Sequence, residues 1–404
     1  MARTITLVRH AETISNTSGT WQGQTDSPLS DRGRLQVERL RDRMNGNGAA
    51  LLVMSDLGRT RTTGEAIGVG EPLAEWREFD LGAWDGMRPG DILKRYPEVD
   101  RVRFGSGDFQ PDGGERFSDF KVRVCDAFAT VAERLDDDER AIVVTHGGVV
   151  QTIVGALVGA TDQSTVLVPS NASLTTVLLD GDDIQVSVFN DDLHLDGGVV
   201  RPPGTRLRLV RHAQTEANRE KRWFGRGETP LTEEGRRQAV ALAQAMGPLD
   251  AIVSSPSSRA FDTATAVAIR QRLDVAIVDD LAEFDFGAWE GLTVGEIRAT
   301  DPRAFRRIFQ DGLDEPRGSK GESFADGGNR IAHAAVGLAA GGTGTIGVFT
   351  HGGVTRAYVA GLLGIPFAGR EVLPVQRNTA HSEIIFGEGG PRLSSYNVAS
   401  HLEG

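Results

Sequence analysis

The stretch LVRHAETISN occupies residues 7–16, and a close copy of it, LVRHAQTEAN, occupies residues 209–218. In each copy an Arg-His pair follows directly on a short apolar run of the kind that forms a buried strand. A repeat separated by about 200 residues predicts two domains of the same fold, with a polar site in each.

The features that follow this stretch are also repeated in the same order. Apolar runs at residues 51–54 and 141–144 stop just before Arg59 and at the tetrapeptide THGG, residues 145–148. Helical patterns fit between such runs, and this alternation predicts an α/β fold in which each half is a mostly parallel sheet flanked by helices. The second half repeats these features at residues 207–210, 251–253, Arg259, 346–349 and 350–353.

A stretch without periodicity separates the two halves. Residues 196–205 read DGGVVRPPGT, and such a Gly/Pro-rich sequence is typical of a linker. We therefore predict a first domain over residues 1–196, a linker over 197–205 and a second domain over 206–404. The tether gives each half a high effective concentration of the other, so an intramolecular pseudo-dimer is compatible with the sequence but is left open by it.

Composition narrows the functional classes. The chain has 404 residues and a net charge of −12, which argues against a general nucleic-acid binder or a polybasic membrane-surface protein. No apolar run approaches the roughly 20 residues that span a bilayer. Arg3 and Arg9 bracket a short strand near the N-terminus, which does not resemble a secretory leader. We expect a cytoplasmic protein with no membrane or nucleic-acid partner.

The polar residues at the predicted strand ends suggest phosphoryl chemistry. Ligands bind at the carboxyl edge of such sheets, so Arg9, His10, Arg59 and His146 should converge there. Guanidinium groups match phosphate oxygens, and a neutral imidazole can attack phosphorus. Glu78 can protonate the leaving oxygen and later activate water. The second half offers the same set in Arg211, His212, Arg259, His351 and Glu283.

A metal site is the main competing interpretation of these His and Glu residues. The adjacent arginines would repel a divalent cation, and neither half has a ligand pair at the zinc-type spacing HxxxH or CxxC. We expect no metal and no cofactor.

Five ordered motifs in each half resemble those of the histidine phosphatase superfamily, whose fold is phosphoglycerate-mutase-like. They are the RHGETxxN-type motif at 9–16 and 211–218, the S-D/P-x-x-R motif at 55–59 and 255–259, the acid/base motif at 77–86 and 281–291, the G-E-x-F motif at 114–117 and 321–324, and the two THGG motifs. Departures are small: Ala11 and Ala213 replace a Gly, and Gln214 replaces a Glu.

This resemblance implies a role for each matched residue. His10 and His212 would be the phosphorylated nucleophiles, and Glu78 and Glu283 the acid/base groups. Asn16 and Asn218 could cap helices, but the motif favours a phosphate contact. The phosphate contacts implied are Arg9, Asn16, Arg59, His146, Arg211, Asn218, Arg259 and His351.

The resemblance favours a phosphatase over a mutase. Mutases of this family need a long insertion, whereas the sequences FDLGAWDG (79–86) and FDFGAWEG (284–291) are the short forms of the phosphatase branch. We predict a metal-independent phosphomonoesterase that acts on small phosphorylated metabolites through a phosphohistidine intermediate at two sites. The alternatives are a phosphoglycerate-type mutase and a regulatory phospho-ligand-binding module with at most one active half.

The two halves differ near the expected substrate pocket. Gln22, Gly23 and Gln24 in the first half correspond to Phe224, Gly225 and Arg226 in the second, so we hypothesise that the sites prefer different phosphomonoesters. Drift between equivalent sites is the alternative. Trp84 and Trp289 are interpreted as packing residues. Basic residues that precede the G-E-x-F motifs could bind a second anion, although solvated surface is the favoured interpretation; they are Arg95, Arg101, Arg103, Arg303, Arg306, Arg307 and Lys320.

Overall fold

The structure, a computed structural model, describes residues 2–96, 108–160, 162–342 and 344–403. Its contacts divide the chain into two compact units, and the division lies between Arg201 and Pro202. We refer to the residues before this division as unit 1 and to those after it as unit 2.

The sheet of unit 1 has the strand order β3-β2-β4-β1-β5-β6 within the described residues. Strands β1, β2, β3 and β4 pair in parallel, whereas β5 is antiparallel to both β1 and β6. The strands are β1 (Arg3–Arg9), β2 (Leu51–Ser55), β3 (Glu71–Leu73), β4 (Arg140–Thr145), β5 (Leu174–Asp180) and β6 (Asp183–Asp191).

Helices alternate with these strands. The α-helices of unit 1 are α1 (Ile14–Ser18), α2 (Asp31–Met44), α3 (Gly58–Glu65), α4 (Pro89–Arg95), α5 (Phe117–Glu133) and α6 (Gly147–Leu157). Single 3-10 turns are formed by Ala74–Trp76, Gly82–Trp84, Gln163–Thr165 and Leu193–Leu195.

Unit 2 repeats this architecture, with the strand order β9-β8-β10-β7-β11-β12 in its described part. Its strands are β7 (Thr205–Arg211), β8 (Ala251–Ser254), β9 (Val275–Ile277), β10 (Thr345–Thr350), β11 (His381–Gly387) and β12 (Gly390–Val398). Its α-helices are α7 (Glu216–Arg219), α8 (Glu233–Ala245), α9 (Ser258–Gln271), α10 (Val294–Thr300), α11 (Pro302–Phe305), α12 (Phe324–Ala340) and α13 (Gly352–Leu363). Shorter turns are the 3-10 helices Asp279–Leu281, Gly287–Trp289, Arg317–Ser319, Phe367–Val372 and Ser400–Leu402, and the π-helix Arg306–Gln310.

Local sequence explains these elements. In β4 every residue from Ala141 to Thr145 is buried, as expected of a parallel strand covered on both faces. Helix α2 begins where the Ser30 side chain accepts a hydrogen bond from the backbone N–H of Gly33, which satisfies a donor that the first turn leaves free. The prediction of two α/β halves, each with a mostly parallel sheet flanked by helices, is confirmed. None of the helices in the described ranges has both the length and the apolar character needed to cross a membrane.

The sheet order places the polar residues at one edge. Strands β1 and β2 both pair with β4, so the carboxyl ends of three neighbouring parallel strands meet. His10 follows β1, His146 follows β4 as the N-cap of α6, and Arg59 lies in the first turn of α3 after β2. In unit 2, β7, β10 and β8 hold His212, His351 and Arg259 in the same positions.

Candidate active site

The two histidines of unit 1 lie side by side. Arg9 is paired in register with Thr145, which places the next residues, His10 and His146, next to each other. Their ring centroids are 5.3 Å apart, with the ring planes at 62°. Both rings are buried.

The ring of His10 is held in the form that can attack an electrophile. Its Nδ1 lies 2.8 Å from the carbonyl oxygen of Ala11, which can only accept a hydrogen bond, so Nδ1 carries the proton and Nε2 has the free lone pair. Burial, and then the positive charges of Arg59 and Arg9, hold the pKa of His10 well below its ordinary value of 6.5. The imidazole is therefore neutral at neutral pH.

His146 is held by Ser55 from the neighbouring strand. Its Nε2 lies 2.9 Å from the Ser55 hydroxyl oxygen, and this oxygen accepts a hydrogen bond from the N–H of Leu57. This favours the tautomer in which the hydroxyl donates to Nε2 and Nδ1 carries the ring proton. Nδ1 is buried without a partner among the described residues.

Two guanidinium groups flank the histidines, and both are anchored by carbonyl groups. Arg9 donates through Nη1 to the carbonyl of Pro169 at 2.6 Å, and Arg59 donates through Nη2 to that of Gly23 at 2.7 Å. The Nε atoms of both arginines are buried and have no hydrogen-bond partner in the described parts of the chain. Buried donors are rarely left unpaired in proteins, because their desolvation costs free energy. These N–H groups are therefore available to an anion.

Glu78 completes the site as a buried carboxyl group. Its oxygens accept hydrogen bonds from the backbone N–H groups of Phe79 and Gly148, both at 2.9 Å, and the latter lies at the N-terminus of α6. Burial raises the pKa of Glu78 above its ordinary value of 4.5, although the two N–H groups and the arginines oppose the shift. The group can therefore hold a proton and release it within the site.

Unit 2 reproduces this geometry closely. The rings of His212 and His351 are 5.2 Å apart, with their planes at 65°, and His212 Nδ1 donates to the carbonyl of Ala213 at 2.8 Å. Ser255 lies 2.8 Å from His351 Nε2. Burial, followed by nearby arginines, lowers the pKa of His212, and burial raises that of Glu283. Both sets of residues predicted at the strand ends are thus brought together.

Asn16 and Asn218 have two structural contacts each. The Asn16 side chain accepts a hydrogen bond from the N–H of Thr13 and so closes a capping box, and it also accepts one from Asn171 Nδ2 at 3.1 Å. Asn16 nevertheless lines the cavity next to His10. Helix capping and a position at the site therefore occur together.

The loop residues predicted to set specificity divide into two groups. Gln22 lines the cavity of unit 1, whereas Gly23 and Gln24 are not among its described lining residues. The carbonyl of Gly23 anchors Arg59, and the amide of Gln24 bonds the carbonyl of Glu78 at 3.4 Å and Arg77 Nη1 at 3.3 Å. The buried guanidinium of Arg59 requires an acceptor such as the Gly23 carbonyl, and Gln24 contacts the backbone that carries Glu78. These two residues therefore contact the residues of the site and are not among those that line the cavity.

The corresponding loop of unit 2 has the same supporting role. The carbonyl groups of Phe224 and Gly225 accept hydrogen bonds from Arg259 Nη2 at 3.4 and 2.7 Å. Arg226 is 46% exposed and lies 3.7 Å from the carboxylate of Glu322. Its guanidinium is therefore already paired, at the surface.

The cavity next to His10 has a mostly aromatic wall. Its volume is about 400 Å³, and Gln110, Gln151 and Thr152 add polar groups to its lining. Trp84 was interpreted from the sequence as a packing residue. It is buried and stacks with Phe109, with the ring centroids 5.9 Å apart, and it also lines this cavity. The rings around the cavity are Trp21, Phe79, Trp84, Phe109, Phe117 and Phe120.

Among the basic residues that precede the G-E-x-F motifs, Arg306 and Arg307 can be compared with the prediction directly. Arg306 and Arg307 are exposed and pair with Asp311 and Glu315. Arg101 and Arg103 lie outside the described residues. The favoured interpretation of solvated surface holds for Arg306 and Arg307.

Several supporting residues were not found from the sequence. Asn171 donates to the carbonyl of His10 at 3.0 Å, and Thr63 accepts from the N–H of Ala11 at 3.0 Å. Arg123 bonds the carbonyls of residues 75, 77 and 78 and thereby fixes the chain that carries Glu78. Each recurs in unit 2, as Asn378, Thr263 and Arg330, so comparison of the two halves could have revealed them.

Comparison with known proteins agrees with this geometry. A family model described as histidine phosphatase superfamily (branch 1) matches residues 5–192 and again residues 207–399. A Mycobacterium tuberculosis protein named as bifunctional is 50% identical over 125 residues, which are 30% of this chain and only 34% of that relative's length.

Two further relatives match about one unit each. The glucosyl-3-phosphoglycerate phosphatase of Mycobacterium tuberculosis is 36% identical over 191 residues, covering 44% of this chain and 84% of the relative. The solved structure of YhfR from Bacillus stearothermophilus is 32% identical and covers 49% of this chain and 100% of its own, with a TM-score of 0.47. The two family matches span nearly the whole sequence, and the chain belongs to the histidine phosphatase superfamily.

Proposed function

We propose that this protein is a metal-independent phosphomonoesterase that acts on small phosphorylated metabolites at two sites. The observation that carries the proposal is the set of buried Arg and His nitrogen atoms that have no hydrogen-bond partner in the described residues and surround a neutral histidine in each unit. In unit 1 these are Arg9 Nε, Arg59 Nε and His146 Nδ1, and in unit 2 Arg211 Nε and His351 Nδ1 belong to the same group. Donors in this arrangement suit the oxygens of a transferring phosphoryl group.

The chemistry we infer has two displacements. Nε2 of His10 attacks phosphorus and forms a P–N bond while the ester P–O bond breaks, and the Glu78 carboxyl group gives its proton to the leaving oxygen. Glu78, now a carboxylate, then takes a proton from water, whose oxygen attacks phosphorus as the P–N bond breaks. Inorganic phosphate leaves, and His10 and protonated Glu78 are restored. His212 and Glu283 would act in the same way in unit 2.

The family relatives support the substrate class at a coarse level. One of them is named a glucosyl-3-phosphoglycerate phosphatase, which indicates a small phosphorylated metabolite as its substrate. In unit 1 the aromatic cavity additionally favours an apolar leaving group, because such a group is removed from water on binding. The cytoplasmic location, the domain boundaries at 196 and 206 and the pseudo-dimer stay predictions from the sequence.

Hydrolysis of p-nitrophenyl phosphate in the presence of EDTA tests the proposal. The wild-type protein should release phosphate, and the His10→Ala, His212→Ala double variant should not. A phosphohistidine trapped from ³²P-labelled substrate, labile in acid and stable in base, should be present only in the wild type. Absence of turnover with retained phosphate binding would favour a regulatory module, and isomerisation of a phosphoglycerate without net phosphate release would favour a mutase.

A further inference from the structure

The turn before the G-E-x-F motif differs in length and in charge between the two units. The N–H of Gly114 donates to the carbonyl of Pro111, whereas that of Gly321 donates to the carbonyl of Arg317, so the turn is one residue longer in unit 2 and Arg317 occupies the place of Pro111. The guanidinium of Arg317 lies on the rings of Phe284 and Phe324. The counterparts of these two rings, Phe79 and Phe117, line the cavity next to His10, which places Arg317 at the same wall of the second site.

Arg317 is an unusually buried cation. Its side chain is only 6% exposed, and its guanidinium carbon lies 5.0 Å from the ring centroid of Phe284, the residue that follows Glu283. The rings of Phe324 and Phe367 lie within 6 Å of it as well, at 5.9 and 5.4 Å. Burial among these rings lowers the pKa of Arg317 to about 10, which still leaves it charged at neutral pH.

The hydrogen bonds of Arg317 leave most of its donors free. Nη1 donates to Asp314 Oδ1 at 3.3 Å and to the carbonyl of Glu322 at 3.2 Å, and within the described residues Nε and Nη2 make no hydrogen bond. Asp314 is itself shared, because its oxygens also accept the backbone N–H groups of Phe324 and Ala325 at 2.7 and 2.8 Å. Neither nitrogen is among the fully buried atoms without a partner, so both reach solvent and can donate to an incoming anion.

A second buried arginine lies on the same ring. The guanidinium carbon of Arg370 is 3.7 Å from the centroid of Phe367, and its positive charge contributes to the lowered pKa of Arg317. The exposed carboxylate of Glu371 is shared between Arg370, at 3.3 Å, and Arg356, at 2.8 Å. The charge of Arg370 is therefore only partly balanced by its carboxylate partner.

Within the described residues, the only basic residues that line the cavity of unit 1 are Arg9 and His10 of the candidate phosphate site. Pro111 is uncharged, and residues 157–168, which include the short helix that corresponds to Phe367–Val372, contain no basic residue. The wall is formed there by the aromatic rings described above. The contrast between neutral and positive walls therefore depends on residues that differ at equivalent places.

We propose that the site of unit 2 has a subsite, formed by Arg317 and Arg370, for a second anionic group on the substrate, such as a carboxylate carried by the leaving alcohol. The inference rests on the proposed function of the unit 2 site. Glu283 is the group that protonates the leaving oxygen, and Arg317 lies next to Phe284, so the subsite faces the leaving group and not the transferred phosphoryl group. Guanidinium forks bind carboxylates in a bidentate manner, which gives such a subsite its selectivity.

Two esters that differ only in charge test the subsite: 3-carboxyphenyl phosphate and its uncharged analogue 3-carbamoylphenyl phosphate. In the His10→Ala protein, where only unit 2 turns over, the ratio of kcat/KM for the charged to the uncharged ester should be about 10 or more. Arg317→Gln, which removes the charge and keeps a polar side chain, should bring this ratio close to 1, mainly through KM. Arg307→Gln is the matched control, because Arg307 is exposed and paired with Glu315, and the ratio should not change.

Further variants keep the test decisive. If Arg317→Gln fails to fold, Arg317→Lys keeps the charge without the fork and should lose most of the preference. The His212→Ala protein, with unit 1 alone, should prefer the uncharged ester. An unchanged ratio in a folded Arg317 variant would overturn the subsite.

Binding separates failure of the subsite from failure of the proposed function. Calorimetric titration of both esters into the His10→Ala, His212→Ala protein should show that Arg317→Gln weakens only the charged ester. Loss of turnover in the His10→Ala protein with this discrimination retained would disprove catalysis in unit 2 and leave the subsite standing. Equal binding of both esters with and without Arg317 would disprove the subsite itself.

Discussion

Units 1 and 2 agree closely in the candidate catalytic residues and differ in the wall next to them. The paired histidine rings are 5.3 Å apart in unit 1 and 5.2 Å apart in unit 2. By contrast, uncharged Pro111 in unit 1 occupies the place of buried Arg317 in unit 2.

This pattern follows from how each group is positioned. His10 and His212 directly follow central strands and are bonded to the next carbonyl, so the sheet itself determines their geometry. The wall residues come from connecting segments that packing constrains less, and such segments can vary while the catalytic geometry stays the same. A duplicated enzyme can therefore change its substrate in one copy without rebuilding its chemistry.

Removal of one nucleophile at a time has the largest expected effect on this comparison. His10→Ala and His212→Ala should each reduce turnover at their own unit by roughly 10³-fold or more, because the covalent route is lost. The two single variants should then show different substrate profiles on a panel of phosphate esters. His333→Ala, in the exposed part of α12, is the control and should match the wild type. Identical profiles from the two single variants would show that the two units have the same substrate specificity.

The acid/base carboxyls should show the next largest effect, together with a characteristic pH dependence. Attack needs neutral His10 and protonated Glu78, and the lowered pKa of His10 and the raised pKa of Glu78 together favour this state. The rate should fall at low pH as His10 is protonated, and at high pH as Glu78 loses its proton. Glu78→Gln should cost about 10²–10⁴-fold with alkyl phosphates and remove the high-pH limb.

The leaving group provides a check on this assignment. p-Nitrophenolate leaves without much help from an acid, so Glu78→Gln in the His212→Ala background should affect p-nitrophenyl phosphate much less than an alkyl ester. Glu283→Gln in the His10→Ala background should show the same difference between the two esters. Glu133→Gln, at an exposed residue, should have no effect. Equal losses with both ester types would argue against proton donation by these carboxyls.

The convergence of the candidate catalytic residues could be predicted from the sequence because the relevant sequence signals are local. Arg9 and His10 follow one apolar run, His146 follows another, and the carboxyl edge of a parallel sheet brings such residues together. The antiparallel strands β5 and β6 were not predicted, although Gly181 and Asp182, the two residues between them, form a common hairpin signal.

The charged wall of unit 2 could not be predicted in this way. Arg317 lies in the polar stretch DEPRGSKGES, which is typical of solvated surface, and the sequence drew attention instead to Arg306 and Arg307, which are exposed. Its burial depends on rings from distant segments, Phe284 and Phe367.

The smallest expected effect concerns the packing beneath that wall. At the position where unit 1 has Phe120, unit 2 has Gly327, and a Cβ atom there would lie only 2.2 Å from Phe284 Cε1. In Gly327→Ala the ring of Phe284 must move, and overpacking of this kind costs about 1–3 kcal/mol of the free energy of unfolding. Because this ring supports Arg317, the preference for the charged ester should fall as well.

Gly337→Ala separates this contact from the general effect of replacing a helical glycine. Both residues lie in α12, but a Cβ at Gly337 meets nothing within 4 Å. Gly337→Ala should therefore raise the free energy of unfolding by about 0.5–1 kcal/mol, through the conformational freedom that glycine has in the unfolded chain. Thermal unfolding of both variants measures the difference. Since the entropic gain is common to the two, a lower Tm for Gly327→Ala alone would reflect the Phe284 contact, and equal shifts would mean that this ring has room to move and does not fix the position of Arg317.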